Sequence, residues 1–287
     1  LGEIVVEAGM PEGGISVVPC PGSIGELLVT DDRLKKLTFT GSAEIGWYLK
    51  SRAGKKKVTL ELGGNAGLIV HTDADLDLAV QRCVRGSFAY AGQICISVQR
   101  IFVHQDIFDE FLERFVQETR KLRRGDPLDE KTDLSPMIDE PAARRAEQWV
   151  KEAVDGGARV IVGGKREGSY LEPTILVDTT PEMKVNRLEV FAPVVTITSY
   201  ERFEDAVEWV NDSLYGLQAG VFTKDIKHIF DAYNTIDVGG LIINDIPTYR
   251  IDHMPYGGVK DSGFGREGLR YAIEEMTELK LLALNLA

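Results

Sequence analysis

Short apolar segments alternate with amphipathic helical segments along most of this chain. Helical spacing at 75–93, 106–122 and 141–157 flanks a strand-like run at 97–104. Further along, predicted strands at 158–164, 174–179, 194–200, 219–223 and 239–245 enclose predicted helices at 203–213 and 225–236. This alternation predicts an α/β fold, in which helices cover a mostly parallel sheet.

The front of the chain shows the same alternation on a smaller scale. The apolar, β-branched run "ISVVP" predicts a strand at 15–19, and further strands are predicted at 34–41 and 56–64. Helices are predicted at 22–30 and 42–54, and Ser42 is a natural N-cap for the second of them. The apolar end of the chain, 279–287, predicts a strand that pairs either with another chain or with an internal sheet edge.

Composition excludes several classes of protein. The 287 residues are 44% hydrophobic, which is enough for one large domain or two ordinary domains. A net charge of -12 argues against a nucleic-acid partner, because phosphate contacts need clustered Lys and Arg. The sequence contains no apolar run near the ~20 residues that span a membrane. Three cysteines are too few for a disulfide framework and favour a reducing, cytoplasmic location.

Cys95, in the run "GQICIS", is the candidate nucleophile. It lies where a predicted helix gives way to a strand, which is a natural place for an exposed side chain. A thiol with an ordinary pKa of ~8.5 is mostly protonated at neutral pH, so such a role requires an activating environment. The alternative is a buried structural cysteine, the commoner fate of a free thiol. Cys83 has the helical spacing of a core residue, and Cys20 lies in a turn.

Glu61, in the run "LELGGN", is the candidate base. It ends a predicted strand, and ligands of α/β proteins bind beyond the carboxyl ends of strands. Burial would raise its pKa, which suits a general base that activates water. The alternative is a strand-end glutamate that faces solvent.

Two further runs suggest a dinucleotide site. In "FTGSAEIG", Gly41 and Ser42 precede a helix, and free N–H groups at a helix N-terminus suit a pyrophosphate. In "LEVFAPV", the Glu189 carboxylate would accept from ribose hydroxyls and the Phe191 ring would flank a nicotinamide. The alternatives are an ordinary capped helix, a loop glutamate and a core phenylalanine. The four histidines are scattered without ligand spacing, so no metal site is expected.

Together with "PYGGVKDSGFGREG" near the end, these runs occur in the order found in the aldehyde dehydrogenase superfamily, which the chain resembles over nearly its whole length. The resemblance implies oxidation of a small aldehyde to a carboxylic acid with NAD or NADP. Cys95 would form a thiohemiacetal and then a thioester, and Glu61 would activate the water that releases the acid. The cofactor residues implied are Gly41, Ser42, Gly63, Glu189 and Phe191.

The resemblance also implies a domain organisation. Residues 1–63 would be the rear part of a Rossmann-type cofactor domain, 64–268 an α/β catalytic domain, and 269–287 a helix end and oligomerisation strand of a homodimer or homotetramer. Family chains begin earlier, so we expect the 287 residues alone to be inactive or nearly so. Leu188 and Ala192, where many relatives carry an acid and a glycine, favour branches that oxidise lactaldehyde-like aldehydes or semialdehydes.

Three rival functions remain open at this point. A cysteine hydrolase would use Cys95 with a histidine and would need no cofactor. A truncated fragment would have no catalytic function. Transfer of the acyl group to coenzyme A is a third possibility, although Glu61 favours water as the acceptor.

Overall fold

A computed structural model describes residues 1–286 and contains two main β-sheets. The smaller sheet has three strands in the order β1-β2-β14, and the larger one has seven in the order β12-β11-β3-β4-β9-β8-β5. Two short antiparallel pairs, β10 with β13 and β6 with β7, complete the strands of the described residues. The α/β fold predicted from the sequence is confirmed.

The three-stranded sheet lies in the front part of the chain. Strands β1 (Lys36–Thr40) and β2 (Lys57–Glu61) are parallel, with Thr40 opposite Glu61. Strand β14 (Gly263–Phe264), from the distant glycine-rich segment, pairs antiparallel with β2. Helix α3 (Ala43–Arg52) begins directly after β1, and the Ser42 hydroxyl accepts a hydrogen bond from the Ile45 N–H at 3.4 Å, as the sequence predicted.

The seven-stranded sheet is parallel except for β5, which is antiparallel to β8. Its strands are β3 (Ala66–Val70), β4 (Val98–His104), β5 (Arg159–Val162), β8 (Thr174–Val177), β9 (Val194–Tyr200), β11 (Gln218–Phe222) and β12 (Gly240–Ile243). Along β3 and β4, alternate side chains enter two separate cores. Leu68 and Ile101 join one core, and Ile69 and Phe102 join the other.

Helices cover both faces of this sheet. One core is closed by α4 (Leu76–Phe88), α5 (Phe108–Thr119) and α6 (Glu140–Asp155). The opposite core is closed by α8 (Phe203–Asn211) and α9 (Ile226–Thr235). The remaining elements are α1 (Gly2–Glu7), α2 (Gly22–Thr30), α7 (Lys184–Arg187), α10 (Leu269–Met276), β6 (Arg166–Glu167), β7 (Tyr170–Leu171), β10 (Tyr215–Gly216) and β13 (Val259–Lys260). Cys83 lies on the inner face of α4 and is fully buried, as its helical spacing predicted.

One predicted strand, at residues 15–19, is wrong, because these residues form no strand in the structure. Residues 279–286 pair with no sheet edge of the described chain, and their pairing with another chain stays a prediction; Ala287 lies outside the described residues. The side chains of Val17, Val18 and Leu282 are exposed. An apolar, β-branched run becomes a strand only where a neighbouring strand satisfies its N–H and C=O groups, and no strand of residues 1–286 lies beside either segment.

One strand was missed by the sequence analysis. The run Ala66–Val70 is buried along its whole length as β3, between β11 and β4. A short, uniformly apolar run shows no alternation, so its period does not distinguish a central strand from a loop or a helix. The predicted boundary at 63/64 falls between the two main sheets, and the domain limits stay a prediction. No helix of residues 1–286 is long and apolar enough to cross a membrane.

Candidate active site

Cys95 and Glu61 approach each other where the two main sheets meet. Cys95 lies just before the amino end of β4, and Glu61 is the last residue of β2. The Gly64 backbone packs against the Cys95 backbone, because a Cβ atom on Gly64 would lie only 1.9 Å from the Cys95 carbonyl oxygen. Only glycine fits at position 64, and this contact holds the end of β2 against the loop of Cys95.

The Cys95 thiol is half-buried beside a tyrosine. Its Sγ atom lies 3.2 Å from Tyr256 Oη. Burial raises the pKa of the thiol, and the Glu189 and Glu61 carboxylates raise it further, whereas the hydrogen bond with Tyr256 lowers it. The thiol of Cys95 therefore has a tyrosine beside it, and its role as a nucleophile stays a prediction.

Glu61 is a buried carboxylate whose oxygens find no hydrogen-bond partner in residues 1–286. Its side chain is only 5% exposed, so the solvent-facing alternative is wrong. Burial is the main cause that raises the pKa of Glu61 to about 8, and the charge of Glu267 contributes to the rise. The charges of Arg250 and Arg266 act to lower this pKa. An unsatisfied buried carboxyl group costs stability, and such groups are concentrated at functional sites.

Glu189 lies on the other side of Gly64. Its Oε1 atom accepts a hydrogen bond from the Gly64 N–H at 2.8 Å, and burial raises its pKa to about 7. A Cβ atom on Gly63 would lie 2.5 Å from Glu189 Oε2, so the pair of glycines leaves room for this carboxylate. Phe191, with a positive φ of 51°, is partly exposed. The structure thus brings Glu189 to the same place as Cys95.

Gly41 and Ser42 lie next to Glu61, at the carboxyl edge of the small sheet. The Gly41 N–H donates to the Glu61 carbonyl oxygen at 3.1 Å. Helix α3 then begins; Ser42 caps the Ile45 N–H, and the other N–H groups of the first turn have no partner within the helix. A cavity of about 430 Å³ lies between α2, α3 and β1, with Phe39 and Ile45 in its lining. The role of Gly41 and Ser42 in binding a dinucleotide stays a prediction.

The glycine-rich segment closes the site from a third direction. The Ser262 hydroxyl donates to the Gly63 carbonyl oxygen at 2.7 Å and accepts from the Gly216 N–H at 3.0 Å. The position that a Cβ atom on Gly257 would occupy is 3.0 Å from Glu61 Oε1. Residues 256–262 therefore contact both candidate catalytic groups.

Known proteins resemble this chain over nearly its whole length. A sequence model described as the aldehyde dehydrogenase family matches residues 1–282. The chain belongs to the aldehyde dehydrogenase family. It is 50% identical to a 3-sulfolactaldehyde dehydrogenase of Priestia aryabhattai, over 100% of this chain and 60% of that protein. It thus spans about three fifths of the length of that relative.

Solved structures of aldehyde dehydrogenases have the same fold. Aldehyde dehydrogenase 21 of Physcomitrella patens, in complex with the product succinate, matches with a TM-score of 0.94 at 47% identity, over 96% of this chain and 58% of that one. An NADP-dependent glyceraldehyde-3-phosphate dehydrogenase of Bacillus halodurans, in complex with NADP, matches with a TM-score of 0.96 at 37% identity, over 100% of this chain and 60% of that one.

Three of the four histidines of this aldehyde dehydrogenase chain lie together in space. His71 Nδ1 lies 2.8 Å from Tyr200 Oη, and the His71 ring contacts the rings of His104 and His228. His71 and His104 lie at the carboxyl ends of β3 and β4, whereas Cys95 precedes the amino end of β4. The histidine cluster and the site therefore lie at opposite ends of these strands. No group of three or more potential ligands within residues 1–286 is placed to hold a metal ion.

Sequence analysis missed two residues of the site. They are Arg250, which precedes the glycine-rich run, and Tyr256, which lies near its start. The Arg250 guanidinium lies 4.0 Å from the centre of the Tyr256 ring. Their spacing shows no pattern that separates them from other loop residues. Only the pairing of β14 with β2 brings this distant segment to Cys95.

Proposed function

We propose that the intact protein oxidises a small aldehyde to a carboxylic acid, with NAD or NADP as the electron acceptor. The observation that carries this proposal is the position of an unpaired, buried Glu61 carboxyl and the Cys95 thiol against the same segment, Tyr256 and Gly257. One group suits attack on a carbonyl carbon, and the other suits the activation of water.

The chemistry divides between these two side chains. The Cys95 thiolate bonds to the aldehyde carbon, and the carbonyl oxygen becomes the alkoxide of a thiohemiacetal, to which the Cys95 N–H can donate. When bound, NAD or NADP would supply the hydride acceptor, and loss of that hydride from the carbon would leave a thioester on Cys95. Glu61 then takes a proton from water, the hydroxide adds to the thioester carbon, and the carbon–sulfur bond breaks to release the acid and the thiolate.

The residues near Glu61 suit the cofactor. Gly41, Ser42 and the first turn of α3 would bind its phosphates, because free N–H groups at a helix N-terminus attract anions. Gly63 leaves space beside Glu189, whose carboxylate would accept hydrogen bonds from a ribose. Phe191 would lie near the nicotinamide ring.

We further propose that the aldehyde is short and carries an anionic group. Arg250 lies over the ring of Tyr256, whose hydroxyl contacts the Cys95 sulfur, so a cation stands one aromatic ring from the nucleophile. Three relatives have names with an anionic aldehyde or product, namely 3-sulfolactaldehyde, glyceraldehyde-3-phosphate and succinate, and these names support the proposal. Of the two classes favoured by the sequence, the proposal keeps semialdehydes that carry an acid group, because lactaldehyde itself is uncharged.

The rival cysteine hydrolase has less support. No hydrogen bond within residues 1–286 joins Cys95 to a histidine, and three of the histidines lie together beside Tyr200. Within residues 1–286, a cofactor-independent ester hydrolase would therefore lack a histidine hydrogen-bonded to its nucleophile. Coenzyme A as the acyl acceptor would leave the buried Glu61 without a role.

We also propose that the protein is a cytoplasmic homodimer or homotetramer that pairs through residues 279–287. The exposed leucines of this segment support the proposal, since they find no cover within the described chain: Leu279, Leu281, Leu282, Leu284 and Leu286. Light scattering of the intact protein, with and without residues 279–287, tests it. An unchanged mass after truncation would contradict it.

A trapping experiment tests the catalytic proposal. The intact Glu61→Gln protein is mixed with a short anionic aldehyde and NAD(P)+, and its mass is measured. We expect about one reduced cofactor per protein and an acyl group on Cys95, because the thioester forms but water is not activated. The Cys95→Ser protein should give neither. Cofactor reduction without an adduct would overturn the proposal. Residues 1–287 alone are expected to be inactive, and turnover by that span would contradict this part.

A further inference from the structure

We propose that Tyr256 is a positioning residue that favours the thiolate form of Cys95 by donating its phenolic hydrogen to the sulfur. The inference rests on the proposed function, in which Cys95 is the nucleophile. It adds to that function a group that prepares the sulfur before any aldehyde or cofactor binds.

The Tyr256 hydroxyl is held in one place. The ring is buried against Ile96 and Leu217, and the Arg250 guanidinium covers it at 4.0 Å. The Tyr256 backbone forms a bridge with Glu267, in which each N–H donates to the other carbonyl oxygen, at 3.1 and 2.6 Å. A side chain fixed by packing and by two backbone bonds presents its hydroxyl to the sulfur with little loss of entropy.

The charges around the sulfur explain why such a donor is needed. Burial, Glu189 and Glu61 all oppose a negative charge on Cys95, and the Tyr256 hydroxyl is the side-chain group that favours it. Burial, together with the neighbouring Cys95 and Glu61, raises the pKa of Tyr256. The tyrosine therefore keeps its proton and acts only as a donor, and hydrogen bonds to charged acceptors are the stronger ones. No covalent bond forms or breaks at the tyrosine.

The experiment measures the reactivity of the thiol itself. Cys20→Ser is introduced into the intact protein, because Cys20 is exposed and would react, whereas Cys83 is fully buried. The rate of alkylation by iodoacetamide is then measured from pH 5 to pH 10, with mass spectrometry to locate the label on Cys95. Tyr256→Phe is compared with Tyr200→Phe, a matched buried tyrosine whose hydroxyl contacts His71.

We expect the midpoint for Tyr256→Phe to rise by about one pH unit, so that labelling at pH 7 slows about tenfold. Tyr200→Phe should leave the profile unchanged. Tyr256→His restores a donor and should give a midpoint below that of the phenylalanine variant, which also covers the case in which Tyr256→Phe folds poorly. Superimposed profiles for the wild type and folded Tyr256→Phe, or for Tyr256→Phe and Tyr256→His, would overturn the inference.

The assay needs neither aldehyde nor cofactor, so it separates this inference from the proposed function. A shifted profile in a protein that oxidises no aldehyde would support the role of Tyr256 and contradict the proposed function. An unshifted profile in an active enzyme would contradict the role of Tyr256 alone.

Discussion

The hydroxyl oxygen of Tyr256 lies 3.2 Å from the sulfur of Cys95, although 161 positions separate the two residues along the chain. The contact exists because β14, in the glycine-rich segment, pairs with β2, whose last residue is Glu61. The small sheet therefore positions the candidate base and the segment that contacts it, whereas the candidate nucleophile lies just before β4 of the seven-stranded sheet. The following predictions concern the intact protein.

Exchange of the nucleophile should abolish oxidation. Cys95→Ser is expected to lower kcat/KM by about 10³-fold or more, because a serine hydroxyl ionises far less readily than a thiol and is the weaker nucleophile. Cofactor reduction with a short aldehyde is the measurement. Cys20→Ser, at an exposed cysteine, is the matched control and should keep wild-type activity. Comparable turnover by Cys95→Ser and wild type would refute the nucleophile assignment.

Loss of the base should slow the release of the acid. Glu61→Gln is expected to lower the steady-state rate about 10²-fold, the usual effect of removing a general base. Because the base must be ionised and its pKa is raised to about 8, the wild-type rate of thioester hydrolysis should increase as the pH rises through 8. Glu201→Gln, at an exposed strand end, is the control. If the rate of thioester hydrolysis still rises with pH in Glu61→Gln, a group other than Glu61 causes the rise.

The same carboxyl group should make stability depend on pH. The pKa of Glu61 is raised from 4.5 to about 8 in the folded protein, so between these values the folded state holds a proton that the unfolded chain has released. Stability from this group is therefore lost as the pH rises through that window. Glu61→Gln cannot ionise, and we expect it to melt near the wild-type temperature at pH 5 but about 3 °C or more above it at pH 9.

Thermal unfolding at the two pH values is the measurement. The raised pKa of Glu189, to about 7, is common to both proteins and cancels in the comparison. An equal difference in melting temperature at pH 5 and pH 9 would show that Glu61 is not protonated in the folded state.

The contact between Gly64 and Cys95 should be intolerant of a side chain. Gly64→Ala would place a Cβ atom 1.9 Å from the Cys95 carbonyl oxygen, and backbone cannot move aside cheaply. We expect a loss of about 1–3 kcal/mol of stability and much slower alkylation of Cys95. Gly25→Ala, inside α2, meets no atom closer than 3.9 Å and should not lower the melting temperature. Unchanged alkylation of Gly64→Ala would contradict the close packing of this loop.

Local pattern was sufficient for the secondary structure that packs against its own neighbours. The amphipathic spacing of α5 and α6 and the N-cap at Ser42 are properties of nearby residues, and the structure confirms them. The pattern failed for residues 15–19, because a strand depends on a partner that its own residues do not specify. It also missed β3, whose uniform burial removes the alternation that marks a half-exposed strand.

The sequence by itself determined the α/β class and supplied the ordered runs that hold Cys95, Glu61 and Glu189, because periodicity and residue chemistry are local properties. Tertiary structure decided what surrounds each group. It buried Glu61 with no hydrogen-bond partner among residues 1–286 and placed Gly64 between Cys95 and Glu189. It also gathered His71, His104 and His228 away from the site and brought Tyr256 to the sulfur. Burial and hydrogen bonding across distant segments set the pKa of each side chain, and these depend on how the two sheets meet.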